Sequence, residues 1–427
     1  MQISVIGLGY MGLPMAAILA RAGHTVVGVD INPATVAAVN AGVCPFSEPG
    51  MAELVREAHA SGRLQAVAVP QVADAFVLSL PTPVDHATHR PDMTFVEAGS
   101  ASIAKVLKAG DLVVLESTSP VGATVANCQA VIERLRPDVA GKVDYVFCPE
   151  RAIPGNTLHE MVHNDRLVGG LTPAATARGV ELYKSFTKGE VLPCTAAEAE
   201  MVKLVENASR DVQIAFANEL SLACHQLGLD VRRVIALANH HPRVNILQPG
   251  TGVGGHCIAV DPWFIIDAAP DVTPLMKVAR QVNDGKPFWV TKMIESKVED
   301  AVLSLGKKDK VKVACLGLAY KPDVDDLRES PSITVVEKLA QNAALDLLVV
   351  EPHVQTWHTE SGLGLVALKD ALAQADVVVG LTAHKVFKEL PAGALAGKVV
   401  VDACGVFYNR VDVTWDVSGF HGRGASL

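Results

Sequence analysis

Short, continuous apolar runs recur through the first 170 residues, at 3–7, 25–30, 75–80, 111–116 and 144–148. They are rich in β-branched residues and suit strands buried on both faces of a parallel sheet. Segments 15–22 and 101–108 between them carry helical spacing. This alternation predicts a doubly wound α/β sheet. From residue 195 to 227 there is no Gly or Pro, and Met201, Leu204, Val205, Ala208, Val212, Ala215 and Phe216 recur every three or four positions. Gly228 then supplies a helix stop. Some 33 residues make a helix of roughly 50 Å, of the kind that joins two domains or packs on a partner subunit. A second helical stretch is expected over 287–305. Strand patterns return at 312–318, 345–351, 376–381 and 398–402. Segment 375–381 echoes 73–80, and 396–402 echoes 109–115. Two related sheets flanking a helical middle fit this pattern, with Lys307-Lys308-Asp309-Lys310 as a solvated linker.

At roughly 150 residues per domain, 427 residues imply two or three domains. A balance of 37 basic against 46 acidic residues, net −9, argues against a nucleic-acid partner. The 49% hydrophobic and 19% charged content supplies ample cores. The eight cysteines, at 44, 128, 148, 194, 224, 257, 315 and 404, contain no C-x-x-C pair, as expected of reduced intracellular thiols. No charged leader region precedes the apolar run at 3–8, so no signal peptide is expected. Nor does any stretch approach the ~18 uncharged apolar residues of a membrane span. The expectation is a soluble cytoplasmic protein with no membrane partner.

Gly7-Leu8-Gly9-Tyr10-Met11-Gly12 follows the first predicted strand and opens the first helix, and Asp30 closes the second strand. In that setting Gly7 makes the turn, Gly9 admits a pyrophosphate and Gly12 lets helix and sheet approach. Asp30 would bind a ribose hydroxyl pair. Its charge, with no Arg at Ile31-Asn32, favours NAD over NADP.

Gln248 to Cys257 holds four glycines, Gly250, Gly252, Gly254 and Gly255, ahead of a cysteine, with Asp261 one helical turn later. It lacks the Lys-Ser/Thr of a phosphate loop. A nucleophilic Cys257 suits a dehydrogenase that traps an aldehyde and oxidises it again to a thioester. A buried structural thiol remains open for Cys257, and is the expectation for the other seven. Lys203 and Asn207, four apart, share a helix face, although spacing alone favours a solvated pair. Glu150 follows a strand end, where ligands bind in parallel sheets, and an ordinary loop carboxylate is equally open. His240-His241 with His256-Cys257 could suggest a metal, but neighbouring histidines point apart and spaced carboxylates are lacking, so none is expected.

Together these residues resemble the UDP-glucose/GDP-mannose dehydrogenase family over essentially the whole chain. The Gly7–Gly12 turn, Pro81-Thr82-Pro83, Glu116 to Pro120, Cys148-Pro149-Glu150, Lys203 with Asn207, Gly254 to Cys257 with Asp261, and Gly317 to Asp323 through Leu327 to Ser330 occur in family order. Strings at 216–221, 239–250, 254–264 and 282–289 resemble the branch that oxidises UDP-N-acetyl-D-mannosamine to its uronate for surface polysaccharide. The resemblance implies two Rossmann-like doubly wound parallel-sheet domains, an NAD-binding one at 1–194 and a nucleotide-sugar-binding one at 306–427. A helical central domain with a long central helix, at 195–305, joins them. It implies Cys257 as nucleophile, Lys203 and Asn207 on the oxyanion, Asp261 on water or a proton, and Glu150 with a water on Thr118 in acid/base steps. NAD would meet Gly7, Gly9, Tyr10, Met11, Gly12, Asp30, Thr82, Thr118 and Arg328. The UDP-sugar would meet Glu150, Arg151, Lys203, Asn207, Gly254 and Lys321, with Arg243 reaching over from the other subunit of a homodimer.

Val260 and Pro154 stand where the UDP-glucose enzymes carry Lys and Glu, which weakens the case for UDP-glucose, and Ala259 mildly favours the mannosamine branch. Oxidation of UDP-N-acetylglucosamine, UDP-glucose or a GDP sugar is the alternative within the family. Outside it stand a two-electron hydroxy-acid dehydrogenase, which needs neither Cys257 nor a second α/β domain, and a non-catalytic NAD-binding regulator.

Overall fold

The computed structural model describes residues 1–408 except 86, 154, 256, 306–308, 360, 361 and 392. His256, Pro154 and part of the expected linker therefore lie outside the described residues. The chain forms two compact units, Met1–Glu206 with Trp263–Val272, and Asn207–Pro262 with the chain from Thr273 onward.

The first unit is built on eight strands: β1 (Gln2–Ile6), β2 (Thr25–Val29), β3 (Leu64–Val67), β4 (Ala75–Leu78), β5 (Leu112–Leu115), β6 (Asp144–Phe147), β7 (Arg166–Gly170) and β8 (Val191–Thr195). Their order is β3-β2-β1-β4-β5-β6-β7-β8. The first six follow the doubly wound dinucleotide order, which opens a crevice beyond the carboxyl ends of β1 and β4. All residues of β4 and β5 are buried, as continuous apolar runs require. The parallel expectation needs one amendment, because β6 and β7 pair antiparallel.

Three strands escaped the pattern. Edge strand β3 turns Gln65 outward between buried Leu64 and Ala66, so it makes no continuous apolar run. Strand β7 carries Gly169 and Gly170, where a Cβ would lie 2.2 Å from the Thr195 carbonyl oxygen and 2.4 Å from Thr176 N. Strand β8 is an edge interrupted by Pro193, a position where proline is tolerated. The helix expected at 101–108 spans Thr94–Ala104.

The second unit holds β9 (Val311–Leu316), β10 (Leu345–Val350), β11 (Val377–Gly380) and β12 (Val399–Asp402), all parallel, in the order β10-β9-β11-β12. This repeats the order β2-β1-β4-β5. The echoing segments form the corresponding strands, β4 with β11 and β5 with β12. The turns correspond too. Gly7 (φ +92°) donates its N–H to Val29 O at 2.8 Å, and Gly317 (φ +97°) donates to Val350 O at 2.8 Å.

The long helix runs Ala196–Gln226 and closes at Gly228, whose φ of +68° accompanies a Leu229 N–H bond to Cys224 O. Its buried residues include Leu204, Ala208 and Ala215, but also Glu200, Lys203, Asp211 and Asn218. Met201, Val205 and Phe216 are exposed instead. The second helix starts well before residue 287, spanning Pro274–Leu305 with Pro287 in its interior. Pro287 packs against the glycine loop, where a Cβ on Gly252 would stand 3.1 Å from Pro287 Cγ. Among the described residues, no helix is long and apolar enough to cross a membrane.

Candidate active site

In the first unit, the turn after β1 has the form a pyrophosphate needs. A Cβ on Gly12 would lie 1.9 Å from Gly7 O, so only glycine lets the helix start there. A Cβ on Gly9 would meet nothing within 4 Å, which leaves open space over an exposed backbone at the start of helix Gly12–Arg21. Asp30 Oδ2 accepts the Leu8 N–H at 2.9 Å and Oδ1 the Asn32 N–H at 2.8 Å. Each oxygen keeps a lone pair for a ribose hydroxyl. These residues fit NAD. Tyr10 is 54% exposed with its ring tilted against Phe46 at 4.4 Å, and Met11 and Thr82 are half-buried near the same strand ends.

Beyond β5 and β6 lie the expected acid/base residues. The turn carrying Thr118 is fixed from both sides. Ser117 Oγ accepts the Leu80 N–H at 2.7 Å. Buried Glu200 accepts the Gly122 N–H at 2.6 Å and the Thr124 N–H at 2.8 Å. Glu150 Oε1 accepts the N–H groups of Arg151 and Ala152, and its Oε2 accepts Arg166 Nη2 at 2.9 Å. Arg166 was missed in the sequence, and Glu116 was read only as part of a motif, with no role of its own. Glu116 is fully buried, accepts the Tyr183 hydroxyl at 3.2 Å, and is pushed up to about 8 by burial and by the nearby Glu150 charge. A glutamate in an apolar strand end, twinned with a strand-opening arginine, was the available signal. Arg151 pairs with Glu206 at 2.8 Å beside a cavity of about 450 Å³, which His163, Asn164 and Asp165 also line.

In the second unit the glycine loop presents Cys257. Cys257 is exposed, whereas the other seven cysteines are buried or half-buried. Burial pushes the thiols of Cys128, Cys148 and Cys315 up to about 12, which makes them inert. The expectation of structural roles for those three holds on this ground. The loop is pressed against the segment after β9. Gly255 donates its N–H to Arg328 O at 3.1 Å, and a Cβ on Gly254 would lie 2.4 Å from Glu329 O and 2.8 Å from Tyr320 Cβ. Thr251 Oγ1 donates to Leu381 O at 2.7 Å. The Asp261 N–H bonds Cys257 O at 2.8 Å, one turn on, and Asp261 is buried. Asn207 Nδ2 donates to Asp261 Oδ2 at 2.5 Å. On the long helix Lys203 is only 8% exposed, so the solvated-pair reading of Lys203 and Asn207 fails: a side chain four residues before Asn207 on the same face is buried.

Lys321 is half-buried with Nζ 5.6 Å from the Tyr320 ring. Arg328 is exposed and bonds Asp326 through Nε and Nη2. Arg243 is exposed on a loop that Asn239 ties by bonding both N and O of Ile246. Asp323, His353 and His384 also converge. Both His384 nitrogens are engaged, however: Nδ1 accepts the Asp323 N–H at 2.9 Å and Nε2 faces Glu351 Oε2 at 3.1 Å, so His384 has no lone pair to offer an ion. Glu351 stands where Asp30 stands in the first unit. Its Oε2 accepts both the Leu318 and Ala319 N–H groups, and it is buried.

Comparison with known proteins matches three successive segments of the chain. Residues 1–187 match the NAD binding domain of the UDP-glucose/GDP-mannose dehydrogenase family, residues 197–285 its central domain and residues 314–409 its UDP binding domain. A Yersinia pestis UDP-N-acetyl-D-mannosamine dehydrogenase is 50% identical over 417 residues, covering 95% of this chain and 99% of that protein. An NDP-N-acetyl-D-galactosaminuronic acid dehydrogenase from Ralstonia nicotianae is 46% identical over 416 residues, 95% of this chain and 96% of that one. The solved structure of a UDP-D-ManNAc dehydrogenase from Pyrococcus horikoshii superposes with a TM-score of 0.86 at 33% identity, covering 95% of this chain and 96% of that one. With the dinucleotide turn in one unit and the exposed cysteine loop in the other, matched in order along the chain, this protein belongs to the UDP-glucose/GDP-mannose dehydrogenase family and takes NAD as its cofactor.

Proposed function

We propose that this chain is a UDP-N-acetyl-D-mannosamine 6-dehydrogenase that carries the C6 alcohol to a carboxylate through a thioester on Cys257. The observation that carries the reading is Cys257 itself: exposed, at the head of a clamped glycine loop, one turn before an Asp261 that is hydrogen-bonded to Asn207. NAD supplies the hydride acceptor for each of the two oxidations. Gly7, Gly9, Tyr10, Met11, Gly12 and Asp30 hold it, with Thr82, Thr118 and Arg328. Glu150, with a water on Thr118, takes the alcohol proton. The Cys257 thiolate adds to the aldehyde carbon, forming the C–S bond, and Lys203 with Asn207 steadies the oxyanion. After the second oxidation, water ordered by Asp261 attacks the thioester carbon. The C–S bond breaks, leaving a carboxylate and a restored thiol.

Glu150, Arg151, Lys203, Asn207, Gly254 and Lys321 contact the sugar nucleotide, and Arg243 serves the site of a second copy. The apolar residues left exposed in the second unit, Phe216, Leu237 and Leu275 among them, support a homodimer. The three-part division at 1–194, 195–305 and 306–427 belongs to this reading, as does a cytoplasmic location, where cysteines stay reduced.

The test is NADH formed per sugar nucleotide consumed, across UDP-ManNAc, UDP-GlcNAc, UDP-glucose and GDP-mannose. Two NADH per UDP-ManNAc, with little turnover of the others, is expected. One NADH per sugar, or none with any of the four, rejects the reading.

A further inference from the structure

Asn218 takes no part in the chemistry above, yet it is fully buried on the long helix and its side chain reaches the glycine loop. We infer that Asn218 is a positioning residue that fixes where the nucleophile loop begins, by accepting the Gly250 N–H on an amide whose orientation is set by the Arg280–Asp211 ion pair. The inference rests on Cys257 being the nucleophile.

The direction of each bond follows from what each group can do. Arg280 can only donate, and its Nη1 meets Asp211 Oδ1 at 2.6 Å. Asp211 therefore accepts, and Asn283 must turn its Nδ2 toward it, at 2.8 Å from Oδ1 and 3.0 Å from the Asp211 carbonyl. That leaves Asn283 Oδ1 as an acceptor, so Asn218 presents Nδ2 to it at 2.9 Å. Asn218 Oδ1 is then committed to the Gly250 N–H at 3.0 Å. Two amides that could otherwise flip are locked by one guanidinium. Arg280, Asp211, Asn283 and Asn218 are each at most 2% exposed, so water offers little substitute.

The other end of the loop is held by the same helix. Asn207 precedes Asn218 by 11 residues, about three turns, so both lie on one face. Asn207 holds Asp261, and Asn218 holds Gly250. Both ends of the segment bearing Cys257 are thus referred to a single rigid element, and loss of one anchor displaces the thiol from its attack position.

The test uses the full chain with Asn218→Ala and Asn218→Asp. Asn218→Ala is expected to lower kcat roughly 10- to 100-fold with the KM for NAD unchanged. It should also change the rate at which iodoacetamide labels Cys257 and speed hydrogen exchange over residues 248–257. A protonated Asp can both accept from Gly250 and donate to Asn283. The activity of Asn218→Asp relative to the parent should therefore rise as pH falls from about 9 to about 6. A folded Asn218→Ala with kcat within about twofold of the parent overturns the inference. If that variant does not fold, a flat pH ratio for Asn218→Asp does so. Cys257→Ser separates the two readings. Full turnover by that variant removes the nucleophile, while unchanged exchange over 248–257 in Asn218→Ala removes the anchor.

Discussion

The guanidinium of Arg166 and the carboxylate of Glu150 meet at 2.9 Å with only 4% and 9% of their side chains exposed. The antiparallel turn of β7 places Arg166 there: it opens that strand, beside the end of β6 from which Glu150 projects. Removing one partner of such a pair strands a buried charge. Arg166→Met should cost about 3–5 kcal/mol in denaturant unfolding at neutral pH, and a loss below about 1 kcal/mol would show that the pair is not supporting the strand end.

Glu116 lies in the same cluster, with its folded pKa raised to about 8 from an ordinary 4.5. The folded state therefore holds a proton that the unfolded state has released. The stability this contributes is full below 4.5 and is lost as pH rises through 8. Glu116→Gln keeps the shape without the titration. Its stability relative to the parent should climb steadily across that window, and a constant difference would contradict the assignment.

Lys286 should behave in the opposite sense. It is buried, donates to Ser221 Oγ and lies 4.3 Å from the Trp289 ring centre. Burial, with the neighbouring Arg232 charge, lowers it to about 7 from 10.5. Its contribution is present above 10.5 and lost as pH falls through 7, because the unfolded state binds the proton more readily. Lys286→Met should therefore gain stability over the parent at about pH 6 and lose most of that gain by about pH 10, read as the difference in Tm. An advantage that grows with pH would be the wrong sign.

Two glycines allow packing and ligand approach to be separated. Gly9→Ala adds a methyl to open space, so the chain should fold with nearly its parent Tm yet bind NAD at least about tenfold more weakly. Gly254→Ala drives a methyl to 2.4 Å from the Glu329 carbonyl, so stability should fall by roughly 1–3 kcal/mol along with activity. Equal losses of Tm in the two variants would mean that the open space at Gly9 is occupied by packing.

Much of this architecture was legible in the chain because the central strands are buried on both faces and read as unbroken apolar runs. The dinucleotide turn was equally plain, since Gly7, Gly9, Gly12 and Asp30 fall at the ends of such strands. What the pattern hid was polar. Along the long helix the apolar residues at 201, 205 and 216 and the polar residues at 200, 203, 211 and 218 both recur at helical spacing. Periodicity alone cannot say which stripe faces inward. Here the buried stripe includes carboxyl and amide groups whose partners are distant in sequence: Glu200 with Gly122 and Thr124, Asp211 with Arg280, and Asn218 with Gly250. Pro287 misled in another way. It reads as a helix start, but lies inside a helix and packs on the glycine loop.

The second sheet copies the first down to its positive-φ glycine, but Glu351 is engaged by His384 and by the Leu318 and Ala319 N–H groups of the glycine turn after β9. In the copy the strand-end carboxylate is buried, whereas Asp30 in the original stays half-exposed. In the reaction proposed above, both oxidations run in series through the open turn of the first sheet. The spent carrier must leave while the half-finished sugar stays behind, and a bond to Cys257 is what would keep that sugar aboard during the exchange.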